Sequence, residues 1–93
     1  MTKLYDVVAV RHKAAKEVGK PDYVLYYDED RENAIAYMRK YAKENGFTIQ
    51  TPDGRMTIAT IILRERFATG EVISEVKYHE LYDVYGKRII CVK

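Results

Sequence analysis

His12, His79 and Cys91 are the side chains in this sequence whose types suit metal binding or nucleophilic chemistry. They lie far apart in the chain. None belongs to a Cys-x-x-Cys or His-x-x-x-His element, the spacing that brings two ligands to one tetrahedral ion. Cys91 stands between Ile90 and Val92, where a thiol behaves as a small hydrophobe. Carboxylates do acid–base work when their surroundings drive their pKa values apart. The densest acidic run, Asp28, Glu29, Asp30 and Glu32, comes just before an apolar helical pattern, and capping accounts for it. Glu75, Lys77 and His79 share a face if their segment is a strand, which reads as an alternating-charge surface before it reads as a catalytic trio. Gly19, Gly46, Gly54, Gly70 and Gly86 are dispersed, each at a turn or stop, so no phosphate-cradling loop is present. The residues therefore predict no enzyme, no cofactor and no metal site.

Binding chemistry is better represented. Arg11, Lys13, Lys16 and Lys20 form the strongest basic segment, interrupted only by Glu17. A cationic loop beside aromatic rings can track a phosphate backbone while bases stack. Arg39, Lys40 and Lys43 form a second group, and convergence of the two would make a nucleic-acid surface. Against this, 16 basic and 14 acidic residues leave a net charge of only +2, below the excess typical of a dedicated binder. Nine tyrosines, with no tryptophan and two phenylalanines, are the oddest feature of the composition. Tyr78, Tyr82 and Tyr37 or Tyr41 match core-facing phases. Tyr23, Tyr26 and Tyr27 fall on both sides of a short strand and, with Tyr85, are the candidate interface residues. The expected function is a non-enzymatic protein-binding or self-associating module that uses a sheet face or an exposed edge strand. The alternative is a small nucleic-acid-binding protein using the basic loop and exposed tyrosines.

These side chains must be positioned by one domain spanning residues 1–93, since so short a chain has no room for a second core. With 47% apolar and 32% charged residues the composition is globular. No apolar run is longer than that of residues 23–27, which is far short of the ~20 residues that span a membrane. No secretory signal is visible at the N-terminus, and a lone cysteine suits a reducing compartment, so a cytoplasmic protein is expected.

Residues 4–11 (LYDVVAVR) read as an interior strand, apolar on both faces at the centre. Residues 13–18 read as a loop, with one or two helical turns ending at Gly19 as the other possibility. Residues 23–27 (YVLYY) are a second strand. The amphipathic helix over residues 30–45 is the best-specified element. Ile35, Met38 and Ala42 share a face, flanked by Ala34, Tyr37 and Tyr41; Asp28 or Asp30 caps the start, and Asn45-Gly46 stops it. Residues 47–50, a turn at residues 51–54, a long strand over residues 55–67 with a bulge where its phase shifts, and a hairpin loop at residues 68–70 follow. Residues 71–85 largely alternate, with Val72, Val76 and Tyr78 on one side; Glu71 and Glu75 are expected across from Arg64 and Arg66. Residues 88–92 close the sheet. The order ββαββββ predicts an α+β fold: a mostly antiparallel sheet of five to six strands with one helix packed on one face.

Overall fold

A valine-rich first strand sets the centre of the molecule. The computed structural model describes residues 2–81, and in it β1 (Lys3–Val10) lies between β2 (Tyr23–Asp28) and β5 (Thr60–Phe67), with β6 (Val72–Lys77) beyond. All three pairings are antiparallel, giving a four-stranded sheet of order β2-β1-β5-β6. β3 (Thr48–Thr51) and β4 (Gly54–Thr57) form a separate hairpin across the Thr51-Pro52-Asp53-Gly54 turn. The α+β class is as expected, with the six described strands divided between two sheets.

Directly paired residues of an antiparallel ladder point to the same side. Tyr5, Val7 and Ala9 of β1 therefore share a face with Ile61 and Leu63 of β5 and Val76 of β6. On this face lies α2 (Arg31–Asn45), which buries Ala34, Ile35 and Met38 against the strands. Their i, i+1, i+4 spacing is one helical stripe. Asp30 caps the helix, its side chain accepting the Glu32 N–H at 2.9 Å. At the other end Gly46 closes the last turn with its N–H on Ala42 O at 2.9 Å. Gly46 has φ 62° and ψ −150°, outside the left-handed helical basin and in a region almost reserved for glycine. Ile49 and Ile58 of the hairpin region and Leu81 complete this core.

The expected strand over residues 55–67 is two strands. The phase shift between Ile58 and Ile61 marks the crossing from one sheet to the other: Ile58 N–H bonds to Phe47 O in the hairpin, and Ala59 N–H bonds to Val10 O in the main sheet. Both isoleucines still reach the same core. The expected strand over residues 71–85 ends at Lys77, where α3 (Tyr78–Leu81) begins. The Glu80 carboxylate accepts the Lys77 N–H at 2.7 Å, which turns the chain and delivers Leu81 to the core. A bulge opposite Glu65 and Arg66 also splits Val72 from Val76: Val72 pairs with Arg66 on the side away from α2, Val76 with Leu63 on the α2 side. Residues 13–18 are not a loop, since α1 (Lys13–Glu17) forms there. Its end is closed by Lys20 N–H on Ala15 O and Gly19 N–H on Lys16 O, and Gly19 takes φ 86°. The predicted strand at residues 88–92 lies outside the described residues.

Candidate functional site

β2 is an outer strand of the sheet, and it carries three of the candidate interface residues. Its register against β1 shifts between Val7 and Val8: Val7 faces Tyr26 and Val8 faces Val24, leaving Leu25 as the extra residue of a bulge. Leu25 and Tyr26 both pack against the core under α2, whereas Val24 and Tyr27 belong to the opposite side, across from Val8 and Asp6.

The tyrosines divide into two groups. Tyr26 stacks on Tyr37 with ring centroids 4.4 Å apart and planes within 8°, and Tyr37 continues to Tyr41 at 6.1 Å. Tyr26 donates its hydroxyl to Asp28 Oδ2 at 2.6 Å, and Tyr41 donates to Thr48 O at 2.7 Å. Asp28 also accepts from the Asp30 N–H at 2.8 Å and from Asn33 at 3.3 Å. The Tyr26 hydrogen bond, followed by these amides, holds the Asp28 carboxyl below the usual carboxylate range, and the same bond raises the Tyr26 phenol. Tyr26 is thus committed to fastening β2 to α2. Tyr23 and Tyr27 are not so committed: they are 49% and 59% exposed, and Val24 between them is 47% exposed. Tyr85 lies outside the described residues.

Arg11, Lys16 and Lys20 gather around Pro21 and Asp22, where each already has a partner. Arg11 is 8% exposed, with Nε on Pro21 O at 3.2 Å and Nη1 on Met56 Sδ at 3.4 Å, so its guanidinium ties the segment between α1 and β2 to the hairpin. Lys16 pairs with Asp22 at 3.2 Å and Lys20 with Asp53 at 3.5 Å. Lys13 is exposed on α1. Arg39, Lys40 and Lys43 border a shallow groove along α2 that also carries Glu32 and Glu44. Lys77 ends its strand and His79 belongs to the following helical turn, so Glu75, Lys77 and His79 do not form the single strand face expected of them. Cys91 lies outside the described residues. Among the described residues there is no group of three or more His, Cys, Asp and Glu able to hold a metal ion, and no helix long and apolar enough to cross a membrane.

The side of the sheet away from α2 carries a cluster that sequence reasoning missed. Asp6, 1% exposed, takes both Arg64 and Arg66, with contacts down to 2.9 and 2.6 Å. The expected partner Glu75 does lie opposite Arg64, but Arg66 lies opposite Val72, and both guanidinium groups turn to Asp6. The available signal was a lone carboxylate inside a valine-rich interior strand. Beside this cluster Val8 and Ile62 are 1% and 8% exposed, so the exposed apolar groups of this side are at its margins: Val24 and Tyr27 on β2 and Val72 on β6. The bare surface lies at the strand edges and not at the centre of the face.

Among the described residues the architecture is α+β with a four-stranded antiparallel sheet, and no family model, curated protein or solved structure matches the chain.

Proposed function

We propose that this chain is a non-enzymatic protein-binding module whose docking element is the outer edge of β2. The observation that carries this reading is the run Tyr23-Val24-Leu25-Tyr26-Tyr27, five uncharged residues of an edge strand whose only charge is the terminal Asp28, with Tyr23, Val24 and Tyr27 about half exposed. Among the described residues, the backbone of β2 bonds to no strand but β1. Soluble proteins usually guard such an edge with lysine, proline or a covering segment, because its free N–H and C=O groups template another strand. The other outer strand, β6, is guarded in this way by Glu75 and Lys77. Strand addition takes affinity from main-chain hydrogen bonds and selectivity from alternate side chains, and tyrosine gives contact area at low entropic cost.

The nucleic-acid reading has less behind it, since Arg11 is buried and Lys16 and Lys20 already face carboxylates. The test is Val24→Lys, which places a charge on the edge without touching the core. Association, measured by sedimentation across concentration and by retention of native partners, is expected in the parent chain and lost in the variant. Equal behaviour of the two would overturn the proposal, and salt-sensitive binding to oligonucleotides by both would favour the alternative.

A further inference from the structure

We infer that the occupant of the β2 edge is a second copy of this chain, paired antiparallel about a two-fold axis between Leu25 and Tyr26. This rests on the reading of β2 as the docking edge and adds the partner and the register.

The bulge supplies the argument. From Tyr23 to Asp28 the residues point to the helix side, the far side, the helix side twice, the far side, and the helix side again. That order is the same from either end. An antiparallel pair of β2 strands centred between Leu25 and Tyr26 therefore matches every residue with one on its own side of the extended sheet. Without the bulge, strict alternation over six residues would mismatch every pair in this register. A two-fold interface requires this self-complementarity, since each contact occurs twice.

The matched pairs are also chemically compatible. Val24 meets Tyr27 of the copy, so two half-exposed apolar groups cover each other twice. Tyr23 meets Asp28 of the copy, a phenol beside the one carboxylate of the strand, and the two Asp28 side chains stay apart. On β6 the corresponding choice is unfavourable. Ser74 and Glu75 point to opposite sides, so centring between them mismatches the faces. Centring on Ser74 sets Val72 against Val76, which also lie on opposite sides, and centring on Glu75 sets that carboxylate against its copy. Six paired residues extend only about 20 Å, too short a seam to bury the roughly 1,600 Å² of a standard-size interface, so the dimer is weak and exchanges freely.

The test is disulfide trapping of the full chain in a Cys91→Ser background. Residue 24 lies opposite residue 27 of the copy, with Cβ atoms about 5 Å apart, whereas identical positions are offset by three residues, ~10 Å, beyond disulfide reach. An equal mixture of Val24→Cys and Tyr27→Cys chains should cross-link mainly between the two kinds, several-fold faster than either alone. Adding Val24→Lys to unmodified chain should leave only monomer at all concentrations, with the circular dichroism of the fold retained. Equal cross-linking by a single variant alone, or none in the mixture, overturns the inferred register. A chain that stays monomeric yet loses a different protein partner on Val24→Lys overturns the second copy while leaving the docking edge in place. Failure of Val24→Lys to alter any association overturns both.

Discussion

Arg66 grips the Asp6 carboxylate at two points, Nε to Oδ2 at 2.6 Å and Nη2 to Oδ1 at 3.2 Å. Arg64 holds the same Oδ2 through Nε at 3.0 Å and Nη2 at 2.9 Å. The burial is unequal: Asp6 is 1% exposed, while the two arginine side chains are 25% and 22% exposed. A guanidinium that loses its partner here recovers water, but the carboxylate does not.

Either arginine alone can keep Asp6 paired, and this redundancy makes the stability effects non-additive. Arg64→Ala or Arg66→Ala is expected to cost about 1 kcal/mol. The double variant strands a buried carboxylate and should cost more than ~3 kcal/mol, exceeding the sum. Urea unfolding of the three variants measures the coupling. Additive losses would mean that Asp6 reaches water once the side chains above it are trimmed.

The Tyr26–Asp28 bond makes the fold's pH dependence readable at both ends. Its hydrogen bond lowers the Asp28 carboxyl, so that contribution is present above the ordinary carboxylate value and fades as pH falls through the lowered one. The same bond raises the Tyr26 phenol, so its contribution is present below the ordinary phenol value and fades as pH rises through the raised one. Tyr26→Phe removes the bond. The stability difference between parent and variant should be largest between the two limits and shrink toward each. Thermal unfolding from acid to alkaline pH tests this, and a constant difference would show that the hydroxyl adds nothing beyond ring packing.

Gly46 is where the helix stop depends on one residue type. An added Cβ would meet no atom within 4 Å, so the cost of Gly46→Ala is conformational and not steric crowding. With φ 62° and ψ −150°, that cost should be about 1–3 kcal/mol, read from the denaturant midpoint. Gly46→Asn, tolerated in a left-handed cap, should be no better here, because the ψ angle lies outside that basin.

The helix was legible in the sequence because three local signals agree: the 34, 35, 38 apolar stripe, Asp30 at the start and Gly46 at the stop. β1 was legible as an interior strand because valine on both faces has no use at an edge. What was not legible depends on residues distant in sequence. The strand break at Ile58 and Ala59 shows only as a shifted phase, and whether that means a bulge or a change of sheet is decided by Phe47 O and Val10 O. α1 is too short to hold itself, and its ends are fixed by Arg11 N–H on Asp22 and by Lys16 on the same side chain. For the candidate site, the exposure of Tyr23 and Tyr27 was half visible, as tyrosine on both faces of a short strand. The internal use of Tyr26 was not, because its partner ring, Tyr37, lies on another element.

The end of β6 offers the sharpest test of local control. Alternation continues through Tyr78, so periodicity favours a strand, yet the chain turns helical there and buries Leu81. The contact acting against the pattern is Glu80 Oε1 on the Lys77 N–H at 2.7 Å, a carboxylate reaching back three residues to the start of a helical turn. Glu80→Ala should let residues 78–81 fray toward the extended form and draw Leu81 from the core, costing about 1 kcal/mol. That corresponds to a drop of roughly 4–8 °C in Tm for a domain of this size. Glu80→Gln keeps an acceptor and should retain most of the stability, with Leu81 still protected from amide exchange. If Glu80→Ala leaves Leu81 protected and Tm unchanged, the turn is held by Leu81 burial and the Phe47–Tyr78 edge contact at 5.8 Å, and not by the cap.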